Sequence, residues 1–205
     1  MPRKRVIAYI DGFNLYYGLK TQKWQRYYWL DLKLLAKNLL KRDQELIFTK
    51  YFTSRVSFPP DKCRRQSTFI EALETLTNFQ IFYGKYQLNP RLCRNCGQKD
   101  QIPNEKMTDV NIAVEMLADA FRDSFDIALL MSADSDLTAP VISIKRLFPQ
   151  KEIVAAFPPQ RFSTELAKHV HAYFTIGRAN LAKSVFPERV RKADGYVLQC
   201  PTEWK

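Results

Sequence analysis

The feature that most constrains the fold is a short apolar run, Ile127–Met131, that ends abruptly in Ser132, Asp134 and Asp136. A run of this length between polar residues is typical of a buried strand in a parallel sheet. Ligand sites in open α/β sheets lie beyond the carboxyl ends of the strands. Two carboxylates there repel each other, which favours a proton, a basic side chain or a divalent cation beside them. The alternative is a solvated loop in which Asp134 or Ser135 caps the next helix.

A second run with the same pattern lies near the start of the chain. Val6–Ile10 is apolar and is followed by Asp11, Gly12 and Asn14. Gly12 permits a tight turn, and Asn14 can cap a short helix over Leu15–Leu19. Asp11 on its own is explained as a turn residue. The repetition of the pattern at two strand ends favours an acidic edge of the sheet.

The rest of the chain alternates between strand and helix patterns. Further strands are predicted at Glu45–Thr53, Phe79–Tyr86, Glu152–Phe157 and Ala172–Ile176, and helices begin near Asp31, Asp61, Thr108, Leu137 and Ser163. We therefore expect a three-layer α/β fold, with a mostly parallel central sheet and helices on both faces. We expect this domain over residues 1–176, with an irregular cysteine-containing insertion at about 89–106. Residues 177–205 are expected to form a basic appendage that either packs loosely or binds the polyanionic partner.

The helix predicted from Thr108 supplies a further carboxylate. With Thr108 as the N-cap, Asp109 lies in the first turn, where the helix dipole favours a negative charge. That preference alone explains Asp109. However, the start of a helix lies at the same sheet edge as the carboxyl end of the preceding strand. This carboxylate can therefore converge with Asp11, Asp134 and Asp136.

Four carboxylates from three segments form a set of hard oxygen ligands, which suits Mg²⁺ or Mn²⁺. Such an ion would polarise a scissile phosphate and lower the pKa of an attacking water. Asn14, Ser132 and Thr108 are candidate supporting polar groups.

The charge of the chain indicates a polyanionic partner. The 205 residues carry a net charge of +11, and nucleic acid is the leading candidate. Arg64, Arg65 and Lys106 are candidate contacts to phosphates. Lys62, Arg64 and Arg65 share the first turns of one predicted helix, and a solvated face explains each of these three at least as well. The stretch Lys23–Trp29 interleaves cations with aromatics. It is either a base-stacking surface or, as we favour, a loop folded over the core.

Two cysteines are spaced like half of a zinc site. Cys93 and Cys96 have this spacing, but no second such pair exists to complete the site. Two free thiols in the insertion are the favoured alternative. The sequence has few cysteines and no signal-peptide pattern, and no apolar stretch approaches the roughly 20 residues of a membrane span. We therefore expect a cytoplasmic protein without a membrane partner.

Several other chemistries lack their motifs. The sequence has neither a P-loop nor a Gly-x-Gly-x-x-Gly motif after the first strand, which argues against nucleoside triphosphate hydrolysis and dinucleotide binding. A phosphatase with an aspartyl nucleophile would need a second Asp two residues after Asp11, where this chain has Phe13.

Three motifs, at residues 6–15, 105–113 and 130–137, together resemble the NYN domain of the PIN-like nuclease superfamily, in its LabA-like branch. The resemblance covers roughly residues 5 to 176. It implies a PIN-like fold and a metal-dependent ribonuclease. The acidic site of the family falls on Asp11, Asp109, Asp134 and Asp136.

We therefore expect an Mg²⁺- or Mn²⁺-dependent ribonuclease with RNA as its partner. The alternatives are a non-catalytic RNA-binding or regulatory module and, less favoured, a phosphohydrolase acting on small phosphorylated metabolites. Assembly into a homo-oligomer is left open.

Overall fold

The computed structural model describes residues 2–92 and 99–205, and of residues 86–92 and 99–105 it describes the backbone alone. The strands are β1 (Lys4–Asp11), β2 (Gln44–Thr53), β3 (Phe79–Tyr83), β4 (Lys85–Leu92), β5 (Lys99–Lys106), β6 (Ile127–Met131), β7 (Glu152–Phe157), β8 (Ala172–Thr175), β9 (Arg189–Arg191) and β10 (Val197–Gln199). The helices are α1 (Gly12–Thr21), α2 (Leu32–Asn38), α3 (Pro60–Leu73), α4 (Thr108–Phe121), α5 (Thr138–Leu147), α6 (Thr164–His169) and α7 (Arg178–Ala182). Short 3₁₀ turns lie at Gln25–Tyr28, Ser135–Leu137 and Thr202–Trp204.

The central sheet has six strands in the order β3-β2-β1-β6-β7-β8, and its neighbouring strands all run parallel. β1 lies in the middle, with Ile10 opposite Met131 of β6 and Asp11 opposite Phe52 of β2. The carboxyl ends of β1, β2 and β6 therefore meet at one edge of the sheet.

Side chains of β1 alternate between two apolar layers. Val6, Ala8 and Ile10 pack into one cluster with residues of α1, α2 and α3. Ile7 and Tyr9 pack into the other with residues of α4, α5 and α6. Because a buried parallel sheet needs helices on both faces, this arrangement confirms the predicted three-layer α/β fold.

The predicted irregular insertion is wrong for its described part. β4 and β5 pair antiparallel as a two-stranded ribbon, separate from the central sheet. Pro90 and Pro103 each lie within one strand of the ribbon. A two-stranded ribbon consists of edge strands, and edge strands tolerate proline.

Loose packing of the C-terminal appendage is also wrong. Trp29 donates its indole N–H to the carbonyl of Pro187 at 2.9 Å, and Leu30 forms a β-bridge with Val185. Leu181, Phe186, Val190, Leu198 and Cys200 are buried in the first apolar cluster. The apolar residues of this segment are spaced between many basic residues, so the sequence pattern does not show the apolar face that packs on the core. A domain boundary at residue 176 stays a prediction.

A buried ionic network fixes α4 on the sheet. The ammonium group of Lys50 (β2) lies 2.6 Å from Asp119 and 2.7 Å from Glu115, both on α4. The Tyr9 hydroxyl donates to the same Asp119 oxygen at 2.6 Å. Val110 of α4 is 60% exposed, whereas Asp119 of the same helix is 5% exposed. The helix turns its polar Asp119 inward because that residue pairs with Lys50.

Among the residues that the structure describes, no helix is long and apolar enough to span a bilayer.

We expect Asp119→Ala to lower the free energy of unfolding by about 3 kcal/mol, because it removes one partner of a buried charge while Glu115 keeps the other contact. Urea denaturation monitored by circular dichroism measures this loss. Glu71→Ala, which breaks a surface pair with Lys192, is the matched control and should change stability little. Equal losses in the two variants would show that the network does not hold α4.

Candidate active site

Asp11 is the anchor of the acidic edge. It ends β1, is 2% exposed and caps α1. Its Oδ1 accepts from the backbone N–H of Asn14 at 3.0 Å, and its Oδ2 accepts from the Asn14 side-chain amide at 2.8 Å. The prediction that Asn14 caps this helix is therefore wrong, because Asp11 takes that role and Asn14 orients its carboxylate.

Ser132 joins Asp11 to the end of β6. Its hydroxyl donates to Oδ2 of Asp11 at 2.8 Å. Burial raises the pKa of Asp11, while the hydrogen bonds from Asn14 and Ser132 counteract the rise. A carboxylate has about four lone-pair sites, and three are used here. Among the contacts of the described residues, Oδ1 accepts one hydrogen bond and Oδ2 accepts two.

Asp134 follows two residues after Ser132 and faces the same edge. Its backbone N–H donates to the Ser132 hydroxyl at 3.0 Å. Its Oδ1 accepts from the backbone N–H of Asp136 at 2.9 Å, so Asp134 caps the 3₁₀ turn Ser135–Leu137. The capping alternative is therefore correct for Asp134. It engages one carboxylate oxygen and leaves the other for further contacts.

Asp109 completes the set. Burial, followed by the charges of Asp11, Asp134 and Asp136, raises the pKa of Asp109 to about 6. The four carboxylates thus share one electrostatic neighbourhood, and we call them the acidic cluster. Because the neighbouring charges are negative and Asp109 is half-buried, its ionisation is less favourable here than in water.

Thr108 supports this helix start in a different way from that predicted. The N-cap is Met107, whose φ of 78° is left-handed, and Thr108 is buried in the first turn. A Cβ added at Gly84 would lie 2.8 Å from the Thr108 hydroxyl oxygen. Gly84 therefore lets the start of the ribbon approach the residue before Asp109.

The oxygen donors of the acidic cluster suit Mg²⁺ or Mn²⁺ in type. Among the side chains that the structure describes, no three Asp, Glu, His or Cys residues stand close enough together to hold a metal ion. An ion bound by the acidic cluster would therefore have to draw its side chains inward. Such an ion would offset both the burial and the carboxylate repulsion that raise the pKa of Asp109.

The predicted phosphate contacts are dispersed. Arg64 is exposed and pairs with Asp61 at 3.0 Å, and Arg65 pairs with Glu203 at 2.7 Å. Lys106 is exposed at the end of β5, three residues before Asp109.

Cys93 and Cys96 lie outside the described residues, so a zinc site stays a prediction. Cys63 and Cys200 are free thiols.

A cavity of about 690 Å³ opens beside the acidic cluster, and sequence reasoning did not identify it. Gly12 and Phe13, the residues directly after Asp11, belong to its wall. The rest of the wall comes from α1, residues 25–32, β2, residues 56–58, α3 and the segment around Trp204. Arg65 of α3 lies in it. The aromatic stretch Lys23–Trp29 was the available signal. It folds over the core as favoured, and its Tyr28 lines the cavity.

A parallel sheet whose carboxyl edge gathers carboxylates, in a strongly basic chain, defines a nuclease-like α/β protein. The chain belongs to the NYN domain family, which matches residues 5–177. This family lies in the PIN-like superfamily and indicates a nuclease-like function related to RNA. The predicted resemblance is thus confirmed, and the LabA-like branch stays a prediction.

Two relatives extend this comparison. The chain is 27% identical over 207 aligned positions to the 6-hydroxy-3-succinoylpyridine 3-monooxygenase HspA of Pseudomonas putida, an alignment that covers 82% of this chain and 65% of HspA. The chain therefore spans about two thirds of the length of that relative. A crystal structure of a protein of unknown function from Vibrio parahaemolyticus superposes with a TM-score of 0.56 at 16% identity, covering 90% of this chain and 97% of that one. This second likeness shows the fold alone.

The raised pKa of Asp109 predicts a pH-dependent stability. The folded-state pKa of about 6 lies above the ordinary value of 3.8, so the stabilisation from protonated Asp109 is complete below pH 3.8 and is lost as the pH rises through 6. We expect Asp109→Asn to be more stable than the parent at pH 7, with the difference shrinking towards pH 4. Thermal unfolding across this range measures it.

The control is Asp61→Asn, which removes a first-turn carboxylate from another helix, where it pairs with Arg64. A stability difference between Asp109→Asn and the parent that does not change with pH would contradict the shared neighbourhood.

Proposed function

We propose that the chain is a metal-dependent ribonuclease that hydrolyses RNA phosphodiester bonds at the acidic cluster. The observation that carries this proposal is the concentration of negative charge at the carboxyl edge of the sheet, where burial and then the charges of Asp11, Asp134 and Asp136 raise the pKa of Asp109 to about 6. Such a concentration is unfavourable in the free protein and calls for a cation. The NYN family membership supports a nuclease-like function.

Asp11, Asp109 and Asp134 are the residues that would hold Mg²⁺ or Mn²⁺, and Asp136 lies beside them. When bound, the ion would polarise the phosphate and lower the pKa of an attacking water. The hydrogen bonds of Asn14 and Ser132 hold Asp11 in one orientation. Asp109, with a pKa of about 6, is mostly ionised at pH 7, and the remaining protonated fraction would release its proton to water when a cation binds.

The positive charge of the chain would bind the RNA backbone. The net charge of +11 coexists with an acidic cluster, so the basic side chains lie elsewhere on the surface. Lys106 lies next to the acidic cluster in sequence, while Lys20 and Lys62 line the neighbouring cavity. These cations can hold phosphates on either side of the carboxylates.

A second candidate is an RNA-binding module without turnover. It is favoured by one observation: in the described part of the chain, no three potential ligands are already within reach of one ion. In that case the carboxylates would serve the fold, as the capping contacts of Asp11 and Asp134 already do.

Cleavage assays test the ribonuclease. With Mn²⁺ present, we expect the protein to cut single-stranded or structured RNA, and we expect Asp134→Asn to reduce the rate about 100-fold or more, since a lost ligand removes several kcal/mol of transition-state stabilisation. Asp61→Asn, an exposed carboxylate on α3, is the matched control and should cut at the parent rate. If the parent and Asp134→Asn cut equally, the activity is contamination.

Mn²⁺ titration monitored by thermal unfolding tests the metal site itself. At a free concentration 100 times Kd, the ion should add about 2.7 kcal/mol to the stability of the parent. Asp11→Asn should abolish this gain. A gain without RNA cleavage would favour the binding module, and no gain in the parent would overturn the metal site.

A further inference from the structure

The wall of the cavity beside the acidic cluster is a connected set of aromatic rings. The ring of Phe13 lies 6.2 Å from that of Tyr17, and Tyr17 lies 5.4 Å from Tyr16. Tyr16 lies 5.0 Å from Tyr28, which contacts Trp204 at 5.8 Å. We call these five residues the aromatic ladder. It begins two residues after Asp11 and leads away from the carboxylates along the face covered by α1 and α3.

Two aromatic rings at the cavity are exposed to solvent and are not buried in the core. Phe58 is 67% exposed and Tyr17 is 42% exposed, although both line the cavity. Large exposed rings at the rim of a cavity are typical of a binding surface, because their faces stay free to stack. Burial raises the pKa of Tyr28, another residue of the cavity wall, to about 12.

Cations stand beside these rings. Lys20 and Lys62 line the cavity and are exposed, and the Lys20 ammonium lies 5.7 Å from the centre of the Tyr17 ring. The acidic Glu203 also lies in the wall, but its charge is balanced by Arg65 at 2.7 Å. The cavity therefore has aromatic walls and a positive rim.

The backbone brings this cavity directly to the carboxylates. A Cβ at Gly12 would lie 2.7 Å from the Tyr51 ring, so glycine is needed where the wall starts. The preceding residue is Asp11. A ligand that fills the cavity and continues past Gly12 would therefore reach the acidic cluster.

We propose that the cavity holds an unstacked nucleobase of single-stranded RNA, whose neighbouring phosphates lie on Lys20 and Lys62 and whose backbone continues to the acidic cluster. The proposal deepens the proposed function and shares its choice of RNA as substrate. Stacking on aromatic rings, with cations on the backbone, is the general mode by which proteins hold single strands without reading a sequence. A duplex keeps its bases stacked and cannot supply one.

The test is binding of a fluorescent single-stranded RNA oligonucleotide in EDTA, followed by fluorescence anisotropy, so that no cleavage occurs. We expect Phe58→Ala and Tyr17→Ala each to raise Kd by about 5- to 150-fold, the range for loss of one base–aromatic stack. Phe121→Ala is the matched control, because Phe121 is an 81% exposed ring on α4, outside the cavity. Its Kd should stay within twofold of the parent. Circular dichroism would verify folding of each variant.

A second measurement uses the unaltered protein. In a series of oligonucleotides, each base is replaced in turn by an abasic site. At one position, we expect the replacement to weaken binding to the parent but not to Phe58→Ala. Equal binding of every abasic oligonucleotide by the parent would overturn the proposal. So would unchanged binding by Phe58→Ala, or binding of duplex RNA as tight as that of the single strand.

The outcomes separate the two proposals. Ring-dependent binding without cleavage in Mn²⁺ supports the cavity and contradicts the ribonuclease. Cleavage that is insensitive to both ring substitutions supports the ribonuclease and contradicts the cavity. Pyridine-3-carboxylate serves as a small heteroaromatic probe, because one relative is named for a pyridine compound. If this probe binds the parent but not Phe58→Ala, and does not compete with RNA, the cavity is a site for small heteroaromatic molecules. That result would overturn the RNA proposal.

Discussion

The candidate site depends on one buried carboxylate and the three hydrogen bonds that hold it. Asp11 sits at the end of the central strand with almost no exposure to solvent, where a charge is costly unless it is hydrogen-bonded. Asn14 and Ser132 supply those bonds from α1 and from the end of β6. The same contacts cap a helix and join two strand ends. Fold and site therefore share their central interaction.

The sequence predicted the architecture well because the signals for a parallel sheet are local. Apolar runs such as Ile127–Met131 and Glu152–Phe157 became strands with those bounds, since buried strands need continuous apolar residues. The ribbon of β4 and β5 was missed because Pro90 and Pro103 resemble loop signals, and only tertiary context shows that they lie on edge strands. The packing of the C-terminal segment was missed because its apolar residues are spaced between many cations.

The acidic edge was partly predictable from the sequence. Strand ends and helix starts are visible in the chain, so the proximity of Asp109 to Asp11 and Asp134 followed from α/β topology. Side-chain partners were not visible, which is why Asn14 was taken as the cap in place of Asp11. The inward turn of Asp119 towards Lys50 was hidden for the same reason, since only the fold brings β2 and α4 together. The cavity combines residues from distant segments and has no motif of its own.

The bond between Ser132 and Asp11 spans 121 residues of sequence. On the ribosome, Asp11 emerges long before β6 exists to pair with β1, and parallel pairing must then close a long loop. Throughout that interval the nascent polypeptide carries only part of its carboxylate set. The acidic cluster is therefore incomplete until most of the sheet has been translated.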